Sequence, residues 1–291
     1  MNKKRKFLVM IAIIGFLMAA CDNGSTDTQV RSDFTYTGTT SLTITGYTGS
    51  SDSVNIPNQI DGKPVTAIGN GAFFNKGLSS VSIPDSITLI GSGAFSRNLL
   101  TGVVIPNSVT LIGDSAFWNN DISSIVIGNG VISIDVSAFS NNRLSTVAIG
   151  NSVSSIGYGA FHGNPALSAI NVSTGNANYS SLDGVLYNKA GTTLIQWPIG
   201  KPGRIATIPN NVTSIESRAF YNHNLNTITI GANVSLGTDA FYDSYSSSDR
   251  RNSFQATYNN NGRLAGTYTA STITSTINWS TTTTTTWTRQ E

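Results

Sequence analysis

Apolar and polar positions alternate along much of the chain in a pattern that repeats every 22 residues. Within residues 72–93 the apolar positions fit neither a continuous helical period nor one long alternating strand. Two short pieces, 78–83 and 87–91, do alternate as strands, and Pro84 between them is a turn signal. The following residues, 91–95, predict a tight turn or a single helical turn.

The repeat is clearest in the dipeptide Ala-Phe. Its phenylalanines recur at a period of 22 and resume after one interruption: Phe73, Phe95, Phe117, Phe139, Phe161, then Phe220 and Phe241. An asparagine follows three residues later in four coils: Asn98, Asn120, Asn142 and Asn164. One unit cannot bury its apolar face alone, so the units must stack at about 4.8 Å per coil. We therefore expect an internal phenylalanine ladder, and an asparagine ladder that bonds neighbouring backbone instead of a ligand.

The consensus A-F-x-x-N-x-L-x-x-V-x-I-P-x-S-V-T-x-I-G resembles the BspA-like, Treponema-type leucine-rich repeat family. The resemblance covers about 72–241, with five consecutive copies at constant spacing. It implies a leucine-rich repeat solenoid over 34–241, β-rich with short helical or 3-10 turns, wound as one elongated right-handed coil. Residues 34–71 resemble the opening coils of that family. We expect them to form the N-terminal cap, because a terminal repeat must present a polar outer face.

Two segments depart from the repeat. Residues 174–207 replace part of a coil, and 185–195 within them predict a β-hairpin around a glycine-containing loop. We interpret this insert as architectural. Residues 242–291 change character again, with a polar linker, short alternating strands such as FQATY that predict a β-like cap, and a threonine-rich tail. Threonines 281–286 form a low-complexity run, to which no secondary structure is assigned from the sequence.

The N-terminus has the pattern of an export signal. Four of the 17 basic residues precede an apolar run of about 14 residues, which is typical of a signal peptide and predicts one over 1–20. Residues 17–21, Leu-Met-Ala-Ala-Cys, resemble a bacterial lipobox, so we expect lipidation at Cys21, followed by a polar spacer over 21–33. The alternative is a plain signal peptide that leaves Cys21 free. Stable anchoring takes more than one acyl chain, and the resemblance to bacterial lipoproteins implies several.

Removal of the signal changes the charge balance. The remaining chain has 13 basic and 15 acidic side chains, a net charge of −2, so neither nucleic acid nor a polybasic membrane contact is indicated. Cys21 is the only cysteine in the sequence, so no disulfide can form within the chain. Stability must therefore come from packing alone.

The sequence carries no catalytic, metal-binding or cofactor-binding motif. His162 and His223 lie in coils separated by the insert, and a spacing of about 10–14 Å would be too long for a shared metal ion. The glycines at 69–71 and 91–93 lack the rest of a nucleotide-binding loop and are interpreted as turn glycines. The carboxylates are scattered singly. We therefore expect no enzymatic activity, metal or cofactor.

The residue directly after each ladder phenylalanine is the candidate binding position. Five of its seven occupants are aromatic, Phe74, Trp118, His162, Tyr221 and Tyr242, and the other two are Ser96 and Ser140. Exposed aromatic side chains along a solenoid are typical of partner-binding surfaces. The alternative is that these side chains lean across adjacent coils as packing.

These features predict a non-enzymatic lipoprotein of the bacterial cell envelope that binds another protein. By resemblance to BspA-like proteins, the partner would be a host or extracellular-matrix protein or a neighbouring bacterium. The protein would then act as an adhesin at the outer membrane or cell surface. The alternative is a structural periplasmic lipoprotein that scaffolds an envelope complex, and glycan binding through the aromatic residues is a third hypothesis.

Overall fold

The computed structural model describes residues 33–221, 223, 225–241, 253–277 and 280–290. Within these ranges the chain forms a β-solenoid of about nine stacked turns of about 22 residues, with little helix. A regular turn contributes one strand of three or four residues and one strand of two, and strands of successive turns pair in parallel. The stacked 22-residue solenoid predicted from the repeat is therefore confirmed.

The first five strands close the N-terminal end of the solenoid. They are β1 (Phe34–Thr37), β2 (Leu42–Tyr47), β3 (Ser53–Asn55), β4 (Gln59–Ile60) and β5 (Lys63–Ile68). Strand β1 is antiparallel to β2, which runs parallel to β5, and β4 forms a hairpin with β5. The rings of Phe34 and Tyr47 cover the first ladder ring, Phe73, at centroid distances of 6.2 and 5.7 Å. These rings shield the end of the apolar core from water.

The regular coils follow. Their strands are β6 (Ser80–Ser82), β7 (Leu89–Ile90), β8 (Gly102–Val104), β9 (Leu111–Ile112), β10 (Ser124–Val126), β11 (Ser133–Ile134), β12 (Thr146–Ile149), β13 (Ser155–Ile156) and β14 (Ala169–Val172). Strands β7, β9, β11 and β13 extend the sheet of β5, with Leu89 opposite Leu111. Strand alternation buries Val103 and Ile105 and leaves Val104 61% exposed. Because paired residues are 22 positions apart, one repeat fixes the register of the stack.

The phenylalanines of the Ala-Phe dipeptides stack through the centre of the solenoid. From Phe73 to Phe161 the successive ring centroids are 4.9, 5.1, 5.2 and 6.0 Å apart, with ring planes within 12° of parallel. All five rings are fully buried. Phe220 and Phe241 stack in the same way beyond the insert, at 4.5 Å. The valines and isoleucines of the short strands pack with these rings in the same core.

The asparagines after the phenylalanines are buried and bond the backbone of two coils. Asn98 Oδ1 accepts hydrogen bonds from the amides of Lys76 and Leu78, both at 3.0 Å. Its Nδ2 donates to the carbonyls of Phe73 and Phe95 at 2.8 and 2.9 Å. The corresponding bonds to the carbonyls of the preceding and own phenylalanine recur at Asn120, Asn142 and Asn164. One side chain per coil thus satisfies backbone groups that the turn leaves unpaired.

The insert is a three-stranded antiparallel meander, and the solenoid resumes after it. The strands here are β15 (Tyr179–Leu182), β16 (Val185–Asn188), β17 (Thr193–Gln196), β18 (Ile205–Thr207), β19 (Ser214–Ile215), β20 (Thr227–Ile230) and β21 (Ser235–Leu236). Strands β16 and β17 pair antiparallel around the loop expected from the sequence, and β15 adds a third strand. Strand β17 then pairs in parallel with β19, so the last strand of the meander also begins the second stack.

Trp197 occupies a ladder position that the repeat pattern did not reveal. Its amide donates to the carbonyl of Ala219 at 2.9 Å, as the amide of Phe95 does to Ala116 at 2.7 Å. Its ring stacks on Phe220 at 5.3 Å. A divergent coil therefore lies inside the interruption, with Gln-Trp in place of Ala-Phe.

The C-terminal cap contains a helix where strands were predicted. Residues FQATY belong to helix α1 (Ser253–Asn260), so the strand prediction for them is wrong. Phe254 and Tyr258 are four residues apart, a spacing that also places two side chains on one face of a helix. The helix buries both rings on one face, with Phe254 4.5 Å from Phe241. The predicted linker at 244–251 lies outside the described residues.

The remaining tail forms a hairpin. Strands β22 (Gly266–Ile277) and β23 (Ser280–Gln290) pair antiparallel, and β22 also pairs with β20 at the end of the solenoid. Threonines 281–286, to which no structure was assigned from the sequence, lie in β23. Threonine is β-branched and favours extended backbone, and β22 supplies a complete partner strand. Among the described residues, no helix has the length and hydropathy to span a membrane.

Candidate partner-binding surface

The residues after the ladder phenylalanines do not form one continuous row. Phe74 is 46% exposed, and Trp118, His162 and Tyr221 are half-buried. Ser96 and Ser140 are buried between them, 3% and 7% exposed. Tyr242 and the predicted lipidation site Cys21 lie outside the described residues. The aromatic side chains therefore divide into two groups, each built around an arginine.

The first group, here called the N-terminal cluster, consists of Phe74, Arg97 and Trp118. Arg97 belongs to the coil between those of the two rings, and its backbone is left-handed, with φ 58°. The guanidinium carbon lies 5.8 Å from the Phe74 ring centroid and 5.1 Å from that of Trp118. A cation over an aromatic face at a partly exposed site contributes about 0.5–1 kcal/mol. The arginine thus links the two rings across three coils and limits their rotation.

The second group, the C-terminal cluster, consists of Tyr158, His162, Arg218 and Tyr221. The His162 and Tyr221 rings stack at 5.2 Å with planes 5° apart, and Tyr158 meets His162 edge-on at 5.5 Å. The Arg218 guanidinium carbon lies 5.7 Å from the Tyr158 centroid and 5.9 Å from that of Tyr221. His162 and Tyr221 are 59 residues apart in the chain. Their contact joins the coils on either side of the insert.

The electrostatics of the C-terminal cluster keep its imidazole neutral. Burial, with smaller contributions from the charges of Arg218 and His223, lowers the pKa of His162 to about 4. Burial also raises the pKa of Tyr158, which the nearby Arg218 partly offsets. At neutral pH the cluster therefore presents uncharged rings and one guanidinium, a combination suited to non-covalent contact.

His223 has a structural position. It lies three residues after Phe220, where other coils have the ladder asparagine, and its Nε2–H donates to the Trp197 carbonyl at 2.9 Å. Burial lowers its pKa to about 4. Within the described part of the chain, no group of three histidine, cysteine or acidic side chains is placed to hold a metal ion.

Sequence reasoning missed three members of these clusters, Arg97, Arg218 and Tyr158. A signal was available, because each lies in a turn position within three residues of an Ala-Phe dipeptide, where most other copies of the repeat have small or polar residues. The alternative was that these aromatic side chains pack between coils. Two of them do pack in this way, because His162 stacks on Tyr221. Phe74 and Tyr158, 46% and 41% exposed, are the most exposed aromatic residues of the two clusters.

Comparison with known proteins places these features in a family. A family model described as a BspA type leucine-rich repeat region matches six copies, over residues 47–181 and 204–281. No curated protein matches the sequence significantly.

Three solved structures illustrate the similarity. The pneumococcal vaccine antigen PcpA is 20% identical, with a TM-score of 0.61, over 72% of this chain and 66% of that one. A leucine-rich repeat protein from Eubacterium ventriosum is 28% identical, with a TM-score of 0.51, over 70% of this chain and 59% of that one. A leucine-rich cell surface protein from Faecalibacterium prausnitzii is 26% identical over 72% of both chains, with a TM-score of 0.49.

Proposed function

The chain belongs to the BspA-type leucine-rich repeat family, and we propose that it is a non-enzymatic cell-envelope protein that binds another protein through its two aromatic clusters. Repeat solenoids of this family are typically binding proteins, and none of the matched proteins is named as an enzyme. A stack of about nine turns is a long surface on which small clusters can be held apart at fixed spacing.

The observation that carries this proposal is that an arginine guanidinium contacts the aromatic rings in each cluster. Rings that already have restricted rotation lose less conformational entropy on binding. Aromatic and arginine side chains are also the residues that most often dominate binding energy at protein interfaces. Three rings at the turn edge of the solenoid are both aromatic and held by an arginine: Phe74, Trp118 and Tyr158.

The finer parts of the proposal concern location and partner. We propose that lipid at Cys21 tethers the protein to the envelope and that the solenoid is displayed at the cell surface as an adhesin for host or extracellular-matrix proteins. The sequence supports this through the signal pattern over 1–20 and the lipobox-like residues that end at Cys21.

The binding proposal is tested with the double variant Trp118→Ala/Tyr221→Ala and a panel of immobilised matrix proteins that includes fibronectin and laminin. We expect binding to weaken by about tenfold or more, because each cluster loses a ring. The control is Leu99→Ala, which removes a 57% exposed apolar side chain outside both clusters. Unchanged affinity, or a loss that parallels a large fall in thermal stability, would show that the rings serve packing.

The location proposal is tested on intact cells. Added protease should degrade the protein, and radiolabelled palmitate should label the wild type but not Cys21→Ser. Complete protection from protease would contradict an adhesin and favour a periplasmic scaffold instead. Palmitate labelling of Cys21→Ser would contradict lipidation at Cys21.

A further inference from the structure

The meander insert borders a cavity of about 250 Å³ that neither aromatic cluster uses. Its walls are formed by residues of the insert, of β18 and of the turn that follows β18: Leu182, Asp183, Val185, Tyr187, Trp197, Thr207 and Pro209. Leu182 is 58% exposed at its edge. Ile205, 62% exposed, lies on the same face of β18 as Thr207. Exposed apolar side chains therefore border the cavity on two sides.

The cavity is already formed in the protein alone. The β15–β16 turn has Asp183 and Gly184 in left-handed backbone, with φ 51° and 76°, as in a two-residue hairpin turn. A Cβ on Gly184 would lie 2.7 Å from Ala169 Cβ, and the Gly184 carbonyl accepts a hydrogen bond from Ile170 at 2.8 Å. The turn is thus packed against the preceding coil, and this wall has little freedom to move.

The charges beside the cavity neutralise each other. Lys201 Nζ donates to Asp183 Oδ2 at 2.9 Å and lies 5.7 Å from the Trp197 ring centroid. Burial and the charge of Asp183 raise the pKa of Tyr187 to about 12, so its hydroxyl stays protonated. An incoming charged group would gain no unpaired opposite charge here and would lose hydration.

The volume of the cavity and the residues that line it indicate which kind of group can occupy it. Pockets for small-molecule ligands and cofactors are typically about 300–1,000 Å³, so this cavity is small for them and suits one side chain. A sugar hydroxyl that faces Leu182, Val185 or Pro209 would have no hydrogen-bond partner, at a cost of about 1–3 kcal/mol for each unpaired group. The Asp183 carboxylate in the lining is already paired with Lys201. An apolar side chain loses nothing by the same contacts and gains by leaving water.

We propose that this cavity is the anchor pocket for one aliphatic or aromatic side chain of a protein partner. The exposed side chains of Leu182 and Ile205 would surround the anchor and exclude water from it. The proposal rests on the proposed function, because it requires a protein partner, and it adds a contact site separate from the two aromatic clusters.

The test uses purified protein and defined probes: N-acetyl-leucinamide, N-acetyl-tryptophanamide and methyl β-glucoside. Binding is followed by the NMR resonances of the Trp197 indole N–H, assigned with Trp197→Phe, and of the Gly184 amide. We expect saturable shifts of both resonances with at least one of the amides and no saturable shift with the glucoside. Saturable binding of the glucoside alone, or of no probe, would overturn the proposal.

A matched pair of variants ties the signal to the cavity. Leu182→Asp should weaken amide binding by about tenfold, because it places a charge at the apolar edge. Val104→Asp makes the same change at a 61% exposed strand position in a distant coil and should leave binding within about twofold of the wild type. Equal binding of the amides by the two variants would show that the probes bind outside the cavity.

The test of the pocket and the test of the aromatic clusters can fail independently of each other. Trp118→Ala/Tyr221→Ala should leave the probe titration unchanged, because neither residue lines the cavity. If that double variant keeps full partner binding while the probes still bind, the aromatic clusters fail as the binding site and the pocket stands. If the probes do not bind while the double variant loses its partner, the pocket fails and the clusters stand.

Discussion

Phe117 lies between two parallel rings, 5.1 Å from Phe95 and 5.2 Å from Phe139, and has no exposed surface. Close by, Asn120 donates to the carbonyl of Phe117 at 3.2 Å. An apolar ring and a buried side-chain amide thus recur together. The ring fills the core, and the amide hydrogen-bonds to backbone groups of the turn. At the scale of single residues, these two columns account for how a chain without disulfides holds its coils together.

We expect Phe117→Ala to lower the free energy of unfolding by about 3–5 kcal/mol, because the lost ring leaves a cavity between two rigid neighbours. Urea unfolding measures the loss. The control Phe74→Ala removes a ring that is 46% exposed and should cost about 1 kcal/mol or less. Equal stability of Phe117→Ala and the wild type would contradict the ladder.

His223 is the ladder residue that can titrate. In the folded protein its pKa is about 4, as is that of His162, whereas an unfolded histidine titrates near 6.5. Between these values the unfolded chain binds more protons than the folded one. Stability should therefore be complete above about pH 6.5 and fall as the pH is lowered towards 4.

The slope should reach about 1.4 kcal/mol per pH unit for each imidazole. His223→Asn places the usual ladder residue at this position and should give a shallower slope in the same window. Urea midpoints at pH 4, 5, 6.5 and 8 test this, with the difference between the two proteins isolating the imidazole from the carboxylates. Parallel curves would show that His223 is not a buried neutral base.

At the scale of elements, the two ends of the solenoid are closed in different ways. At the N-terminal end, β1 and β2 place Phe34 and Tyr47 over the first ladder ring. At the C-terminal end, α1 places Phe254 against Phe241, and β22 continues the sheet from β20. A stack of identical coils would otherwise expose an apolar layer and a row of strand hydrogen-bonding groups.

We expect Phe254→Ala to loosen the C-terminal cap, with a loss of about 3–5 kcal/mol for the deleted buried ring. Hydrogen exchange should accelerate in α1, β22 and β20 and stay unchanged in β7 and β9. Leu264→Ala is the control, because Leu264 is 50% exposed between the same two elements. Uniform acceleration across the whole chain would contradict a local cap.

At the scale of the whole molecule, the described residues form two apolar core clusters that meet at the insert. One extends from Phe34 to Leu186 and the other from Val185 to Tyr268. The sheet of two-residue strands is also interrupted there, because β13 ends one sheet and β15 begins another. The two sheets, and with them the two halves of the stack, are connected by contacts that include the hydrogen bond that the amide of Ile156 in β13 donates to Tyr179 Oη in β15, at 2.9 Å.

We expect the double variant Tyr179→Phe/His162→Ala to separate the unfolding of the two halves. The first change leaves the Ile156 amide unpaired, at about 1–3 kcal/mol, and the second removes the stack on Tyr221, at about 0.5–1.5 kcal/mol. Urea unfolding should change from one transition to two, with peptides from 205–241 exchanging at lower urea than those from 73–161. Leu99→Ala/Leu264→Ala, one exposed residue in each half, should keep one transition. A single transition in both variants would show that other contacts couple the halves.

How far the sequence predicted the structure depended on whether a residue obeyed the period. Phe95 and Asn98 could be placed from spacing alone, because each recurs 22 residues later in the same environment. Trp197 could not, because it is 36 residues from Phe161 and 23 from Phe220, and no repeat motif surrounds it. Phe254 was misplaced because a short segment with alternating aromatic residues fits both a strand and a helix.

The sequence by itself determined the solenoid, its family and the ladder residues that follow the period, since a repeated local pattern can bury its apolar face only by stacking on copies of itself. Only the tertiary structure decided which side chains meet across the insert. His162 and Tyr221 stack because the meander brings the coils on either side of the insert close together, and the cavity beside Leu182 exists because the same meander interrupts the coils. Contacts of this kind depend on how an irregular segment closes, which no local period encodes.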